Sequence, residues 1–256
     1  MSFEPRRDAP VTWLASYPRS GNTLLRLILN RCFGLTSQSV YSDSEFAGEE
    51  LCRLIGQEPV GNDPRQFLER ARRQERRLYV KTHELPPGDN HPAIYVVRDG
   101  RSATVSHAHF LREHMGRDVT LAEVIAGKVG VSWSHHVQAW IARPGVLVLR
   151  YEDLAAGDAK SLAGLSAYLG LEQQHPFDIS FAQLHRLAPQ FFRRGSDDAN
   201  ISEMDAAAKA LFHRLHGATL HVMGYGRDEP QAHQSPAARR APCPPGQAGT
   251  IIRQTD

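Results

Sequence analysis

Four short apolar runs constrain this chain more than any other feature: VTWLA at 11–15, LYV at 78–80, AIYVV at 93–97 and VLVL at 146–149. Each is rich in Val, Ile, Leu and aromatic side chains and lacks regular alternation with charged residues. Runs of this kind read as strands covered on both faces. Segments with helical spacing alternate with them. The pattern predicts an α/β fold: a single domain with a central, mainly parallel sheet flanked by helices. In such sheets ligands sit beyond the carboxyl ends of the strands. The polar turns after residues 17, 82 and 97 are therefore the places to look for function.

The spacing predicts strands at 11–17, 78–83, 93–97 and 146–150. It predicts helices at 22–33, from the turn at 98–102 to about residue 115, at 119–127, at 131–142, from 151 to about 170, and at 203–223. Residues 36–65 are mixed, with Pro and Gly punctuation. One domain is expected over 11–225. The tail 227–256, loose in Pro, Gln, Ala, Arg and Gly, is expected to be disordered. At 256 residues and 41% apolar, the chain buries a core without staples. Its three cysteines, Cys32, Cys52 and Cys243, are scattered and make neither a disulfide framework nor a metal knuckle. The opening MSFEPRRDAP lacks the apolar stretch of a signal peptide, and no run approaches the roughly 20 residues of a membrane span. A cytoplasmic protein without a membrane span is expected. A net charge of +2 gives no argument for a nucleic-acid partner.

The first strand runs into SYPRSGNT (16–23), which opens straight into a helix. Backbone N–H groups at a helix start point toward an anion, and the helix dipole favours negative charge there. Ser20, Asn22 and Thr23 add donors, Arg19 adds a rigid fork for phosphate or sulfate oxygens, and Gly21 allows close approach of the backbone. The turn is thus suited to a phosphate-like group. The plainer alternative is an ordinary helix cap supplied by Ser20, Asn22 or Thr23. A nucleoside-triphosphate P-loop needs G-x-x-x-x-G-K-[ST], and this turn has one Gly and no Lys before its Ser/Thr.

Arg98 stands at the end of another strand, with Ser106 two turns into the next helix. They either reach one anion together or face solvent separately. In VKTHELP (80–86), Lys81 and His83 share a face at a strand's end, and His is the usual general base near neutral pH. The run RARRQERR (70–77), with Glu75 inside it, reads as a solvated helix face. His135 and His136 are adjacent on a helix and diverge, which makes a poor metal pair. Trp133 and Trp140 beside them read as core. No metal-ligand spacing appears.

Together these segments resemble the cytosolic-type sulfotransferase family, over about residues 11–225 and in the family's order. SYPRSGNT is similar to its 5′-phosphosulfate loop Y-P-K-S-G-T-T-W, a P-loop-like turn. VKTHELP is similar to K-T-H-L-P. VVRDGRSATVSHAHF is similar to the 3′-phosphate motif R-[ND]-x-x-D-x-x-x-S-x-x-x-[FHY]. SWSHHVQAW, YEDL, SFAQL and FFRRGS resemble later family segments. The resemblance implies sulfuryl transfer from 3′-phosphoadenosine 5′-phosphosulfate (PAPS) to a hydroxyl or amine of a small-molecule, glycan or lipid acceptor, without metal. It makes His83 the base, with Arg19 and Lys81 steadying the leaving oxygen. It places Arg19, Ser20, Gly21, Asn22 and Thr23 at the 5′-phosphosulfate, and Arg98, Ser106, Arg193, Arg194 and Gly195 at the 3′-phosphate. Tyr151 and Phe181 would flank adenine, and His136 would line the acceptor pocket.

The chain departs from the family at four points. Arg19 stands for the loop Lys, Leu24 for the Trp after T-T, Ser102 for the Asp of the 3′-phosphate motif, and SDDANIS (196–202) for G-D-W. These departures keep two other readings open, a non-catalytic nucleotide-binding scaffold and a P-loop-type kinase.

Overall fold

The structure is a computed structural model that describes residues 10–39, 41, 44–58, 77–187 and 197–226. The tail 227–256 and the predicted site residues Arg193, Arg194 and Gly195 lie outside the described residues, as does the arginine run 70–76.

Six strands form one sheet: β1 (Val11–Ser16), β2 (Ser37–Ser39), β3 (Gln57–Glu58), β4 (Leu78–Thr82), β5 (Ala93–Val97) and β6 (Val146–Arg150). Their order is β3-β2-β4-β1-β5-β6, and every pairing is parallel. The four strands expected from the apolar runs are present. β2 and β3 are additional, and lie in the segment left without assignment. They are short and polar, SQS and QE, so hydrophobic pattern alone does not reveal them. β2 is recruited by pairing of Gln38 with Val80 and Ser39 with Lys81.

β1 is buried along its whole length. Its side chains alternate between two cores, as the pleat requires. Leu14 joins Ile94 and Val96 under α1 (Asn22–Phe33) and Leu162, Leu165 and Tyr168. Trp13 and Ala15 join Val80, Tyr95 and Val97 on the other face, under Trp133, Trp140 and Phe212. Helices thus cover both faces, the reason the strands read as continuous apolar runs. Trp133 and Trp140 are fully buried core residues. Trp133 packs so closely that a Cβ on Gly100 would lie 2.4 Å from its ring.

After β1 and α1, the described helices are α2 (Ser44–Leu54), interrupted by non-helical backbone at Gly48, α3 (Gly100–Glu113), α4 (Leu121–Ile125), α5 (Trp133–Ile141), α6 (Tyr151–Ala155), α7 (Ala159–Leu169), α8 (Phe181–Leu187), α9 (Asp197–Ile201) and α10 (Ala206–Val222). One expected helix, 151–170, is two. Gly157 adopts φ 65°, and the Asp158 side chain accepts from Ser161 N at 2.8 Å, so a new N-cap interrupts the first helix after one turn. No described helix is long and apolar enough to cross a membrane.

The parallel order brings the carboxyl ends of β4, β1 and β5 side by side. Ala15 pairs with Thr82 on one side and Tyr95 on the other. Three turns that are separate in sequence therefore meet at one end of the sheet.

Candidate active site

The turn after β1 is locked from within. Ser20 N donates to Tyr17 O at 3.1 Å. With Pro18 second and Arg19 third at φ 65°, it has the pattern of a type II β-turn, in which the third position favours Gly or Asn. An arginine there carries backbone strain on the order of 1 kcal/mol. Gly21 follows at φ 103° and is the N-cap of α1, with no side-chain hydrogen bond to the helix start. The ordinary-cap alternative for Ser20, Asn22 or Thr23 is thus overturned. Asn22 instead donates from Nδ2 to Leu14 O at 2.8 Å and ties the helix start to β1. Ser20 Oγ and Asn22 Oδ1 are buried and have no hydrogen-bond partner among the described residues. Gly21 is also needed for space, because a Cβ there would lie 2.5 Å from Tyr151 Cδ2.

Arg19 Nε donates to Ser106 Oγ at 3.3 Å, and its guanidinium lies 5.3 Å from the Phe110 ring centre. Arg98 Nη1 donates to the Arg19 carbonyl at 3.1 Å. Both Arg98 and Ser106 are buried, which overturns the solvent-facing alternative. The turn after β1 and the turn after β5 are thus stitched together. Arg98 also stacks over the Tyr151 ring at 4.3 Å, so Tyr151 is held between a guanidinium and the Gly21 backbone.

Lys81 ends its side of β4, and His83 follows just past the strand. His83 Nδ1 lies 2.8 Å from the Ser16 carbonyl. A carbonyl only accepts, so Nδ1 carries the proton, and the neutral ring keeps its lone pair on Nε2. Two further contacts fix the residue. His83 N donates to Tyr41 Oη at 2.8 Å, and His136 Nε2 donates to the His83 carbonyl at 3.1 Å. With Nε2 protonated, His136 accepts from Tyr95 Oη through Nδ1, at 2.9 Å. Burial holds the His136 imidazole neutral by lowering its pKa to about 4, which keeps this donor order intact. Tyr41 lies in the unassigned sequence segment and was not singled out there; no motif surrounds it.

These groups line one cleft of about 400 Å³. Arg19, Gly21, Asn22, Thr23, Arg98 and Tyr151 line it together with Lys81, His83 and His136. Phe110, Leu111, Met115, Val129 and Val131 complete an apolar wall. His107 is also at the cleft, 3.4 Å from Tyr17 Oη. Burial, and then the charges of Arg19 and Arg117, lower its pKa to about 4.

A family model described as the sulfotransferase domain matches residues 9–221 of the chain. The chain belongs to the sulfotransferase domain family. A flavonol 3-sulfotransferase of Flaveria bidentis is 27% identical over 187 residues, covering 64% of this chain and 57% of that relative. The match thus spans little more than half of the relative's length. A mouse sulfotransferase solved with PAP shares the fold, with a TM-score of 0.60, 20% identity and coverage of 88% of this chain and 87% of that one. A retinol dehydratase solved with androsterone and PAP matches with a TM-score of 0.53 and 18% identity, over 86% of this chain and 82% of that one.

Within this sulfotransferase domain, the structure gathers most of the residues the motifs point to. Arg19, Gly21, Asn22, Thr23, Lys81, His83, Arg98 and Tyr151 line one cleft, with Ser20 inside the turn and Ser106 bonded to Arg19. Leu24, in the place of the family's Trp, is buried and lines the cleft. Phe181 begins α8. Two acidic residues stand near Arg98: Asp197, which no motif indicated, and Glu152, the second residue of YEDL. Asp197, the first residue of α9, accepts from Arg98 Nε at 2.7 Å. Glu152 accepts from Asp99 N at 3.3 Å and from Tyr225 Oη at 2.8 Å. Burial first, and then the Asp197 charge, push the Glu152 carboxyl up to about 7. The signal for Asp197 was the departure SDDANIS itself, which sets two acidic residues directly after the expected 3′-phosphate segment.

Proposed function

We propose that residues 11–225 form one catalytic domain that transfers a sulfuryl group from PAPS to a hydroxyl or amine. The observation that carries this reading is that the turn after β1 and His83 line one cleft, with His83 Nδ1 2.8 Å from the Ser16 carbonyl where that turn begins. The residues present fit the donor. The buried Ser20 Oγ, without a partner among the described residues, the start of α1 without a side-chain cap, and the Gly21 backbone make a cradle for an anionic group. Thr23 and Arg19 add donors at the same end. Arg98 and Ser106 would hold the 3′-phosphate, with Arg193, Arg194 and Gly195. Tyr151 and Phe181 would hold adenine. Bound there, the donor supplies a sulfuryl group on a nucleotide phosphate that leaves readily.

His83 takes the proton from the acceptor hydroxyl through Nε2, because Nδ1 is committed to the Ser16 carbonyl. Arg19 and Lys81 offset the charge that develops on the leaving oxygen. Arginine stays protonated throughout, so Arg19 acts as a fixed charge and not as an acid. His136 and Tyr41 hold His83 in register through its main chain. The apolar wall supports a small alcohol or phenol with an apolar body as the acceptor, in preference to a glycan. The flavonol and androsterone named for the similar proteins are of that chemistry. A cytoplasmic setting suits such acceptors.

Calorimetric titration with adenosine 3′,5′-bisphosphate, against ATP and 5′-AMP, tests the donor site. Selective binding of the bisphosphate is expected. Transfer of labelled sulfuryl from PAPS to a panel of phenols and apolar alcohols then tests the reaction. Binding without transfer to any acceptor would establish the scaffold reading, and equal binding of ATP would favour the kinase reading.

A further inference from the structure

Arg98 is assigned above to the donor's 3′-phosphate, yet its fork is already engaged. Asp197 Oδ1 accepts from Arg98 Nε at 2.7 Å and lies 2.5 Å from Nη2. That is the edge with which a guanidinium makes its paired bonds to carboxylate or phosphate. The pair is sheltered, with the two side chains 8% and 18% exposed. Its placement is built into the fold. Three residues on from Asp197, Asn200 Nδ2 donates to Ser102 Oγ at 2.8 Å, and both of those residues are buried. Residues three apart share a helix face. α9 thus delivers Asp197 to Arg98 and Asn200 to Ser102, four positions further along the chain. Ser102 stands where the family motif has Asp, and α9 stands where it has G-D-W. The two departures are therefore one rearrangement, in which the acidic partner of this region comes from α9.

We propose that Asp197 is a resident counter-anion on the Arg98 edge meant for the 3′-phosphate, and that it sets how tightly a 3′-phosphorylated nucleotide binds. The proposal rests on the donor reading given above. A phosphate at Arg98 must displace the Asp197 carboxylate or share the guanidinium with it at close range. Like charges in so small a space repel strongly, and Glu152 adds a further carboxyl to the same region. A 5′-monophosphate, held at the turn after β1, does not meet this competitor. Asp197 acts through Arg98 on the nucleotide and takes no part in the transfer step.

The test is calorimetric titration of the full chain and its Asp197→Asn variant with adenosine 3′,5′-bisphosphate and with 5′-AMP. Asn keeps an oxygen to accept from Arg98 Nε and removes only the charge. The expected result is about tenfold or tighter binding of the bisphosphate, with 5′-AMP within about twofold of the parent. Asp197→Glu, which keeps the charge, is expected to show no gain. If Asp197→Asn unfolds at lower urea than the parent, Asp197→Ser replaces it and the same expectations apply. Unchanged or weaker bisphosphate binding would overturn the proposal and make Asp197 a permanent strut for Arg98. An equal gain for 5′-AMP would also overturn it, as a general charge effect. Parent protein that prefers the bisphosphate, with no gain in the variant, refutes the role of Asp197 alone. Absence of that preference in both parent and variant refutes the donor reading, and the proposal falls with it.

Discussion

Replacing Arg19 separates its backbone cost from its side-chain use. At φ 65°, a non-glycine residue costs about 1–2 kcal/mol relative to a residue without a Cβ. Glycine gives back about 0.4–1 kcal/mol through the freedom of the unfolded chain. Arg19→Gly and Arg19→Ala both remove the bond to Ser106 and the contact with Phe110, so those losses cancel between them. The difference left is about 1 kcal/mol in favour of Gly. In a domain of this size, that is roughly 2–4 °C in Tm. Urea unfolding of the two variants side by side gives the difference directly. Both should lose sulfuryl transfer, because both remove the fixed charge at the leaving oxygen. Arg19→Lys, which keeps charge and Cβ, should match the parent's stability within about 0.5 kcal/mol and retain most activity. An Ala variant as stable as the Gly variant would show that the backbone at 19 is not strained. A Gly variant with full transfer would show that the reaction does not need the fixed charge of Arg19.

Three other substitutions probe the site. His83→Ala should lower turnover by about 10²–10⁴-fold while leaving the affinity for adenosine 3′,5′-bisphosphate near that of the parent; kinetics and calorimetry on one preparation decide it, and unimpaired turnover would remove the base from His83. Gly21→Ala drives a Cβ into a Tyr151 ring already pinned by Arg98, at a backbone angle that disfavours it. It should cost about 2–4 kcal/mol in urea unfolding and weaken bisphosphate binding; a neutral result would mean that the turn opens more freely than its contacts imply. Glu152 has a pKa raised from 4.5 to about 7 in the folded chain. Its contribution to stability is therefore full below pH 4.5 and is lost as pH rises through 7. Glu152→Gln should match the parent near pH 4.5 and exceed it at pH 8, by on the order of 1–3 kcal/mol. An advantage that stays constant with pH would refute this.

What the sequence revealed followed from how strongly each feature is driven by local residues. β1, β4 and β5 were legible because burial on both faces demands unbroken apolar runs, and β6, an edge strand with only Leu149 buried, was legible from its Val and Leu residues. β2 and β3 were not, because their stability comes from the edge they join and their side chains carry no pattern. The break between α6 and α7 was marked by Gly157 and Asp158, but a helical pattern on both sides concealed it. At the site, Lys81, His83, Arg98 and Ser106 could be placed by strand ends and helix spacing. Asn22 was read as a donor to a ligand or as a helix cap, whereas its amide donates to the Leu14 carbonyl. That bond depends on the three-dimensional path of the turn. Tyr41 and His136 reach His83 through its main chain, and main-chain partners leave no trace in residue type. Asp197 showed itself only as an irregularity in a motif.

The order β3-β2-β4-β1-β5-β6 also governs how the chain can assemble. β1 is one of the two central strands and is buried along its whole length, and it is the first of the six to be synthesised. Its neighbours β4 and β5 begin 67 and 82 residues later. At about 5–20 residues per second, β1 waits roughly 3–13 s for its first partner. Throughout that interval VTWLAS presents two unpaired backbone edges and two apolar faces. The strand that organises the cleft in the finished domain is thus the segment most exposed to wrong pairing on the ribosome. Slow translation upstream of residue 78 should lower the yield of soluble protein, and a chaperone that shields extended apolar segments should raise it.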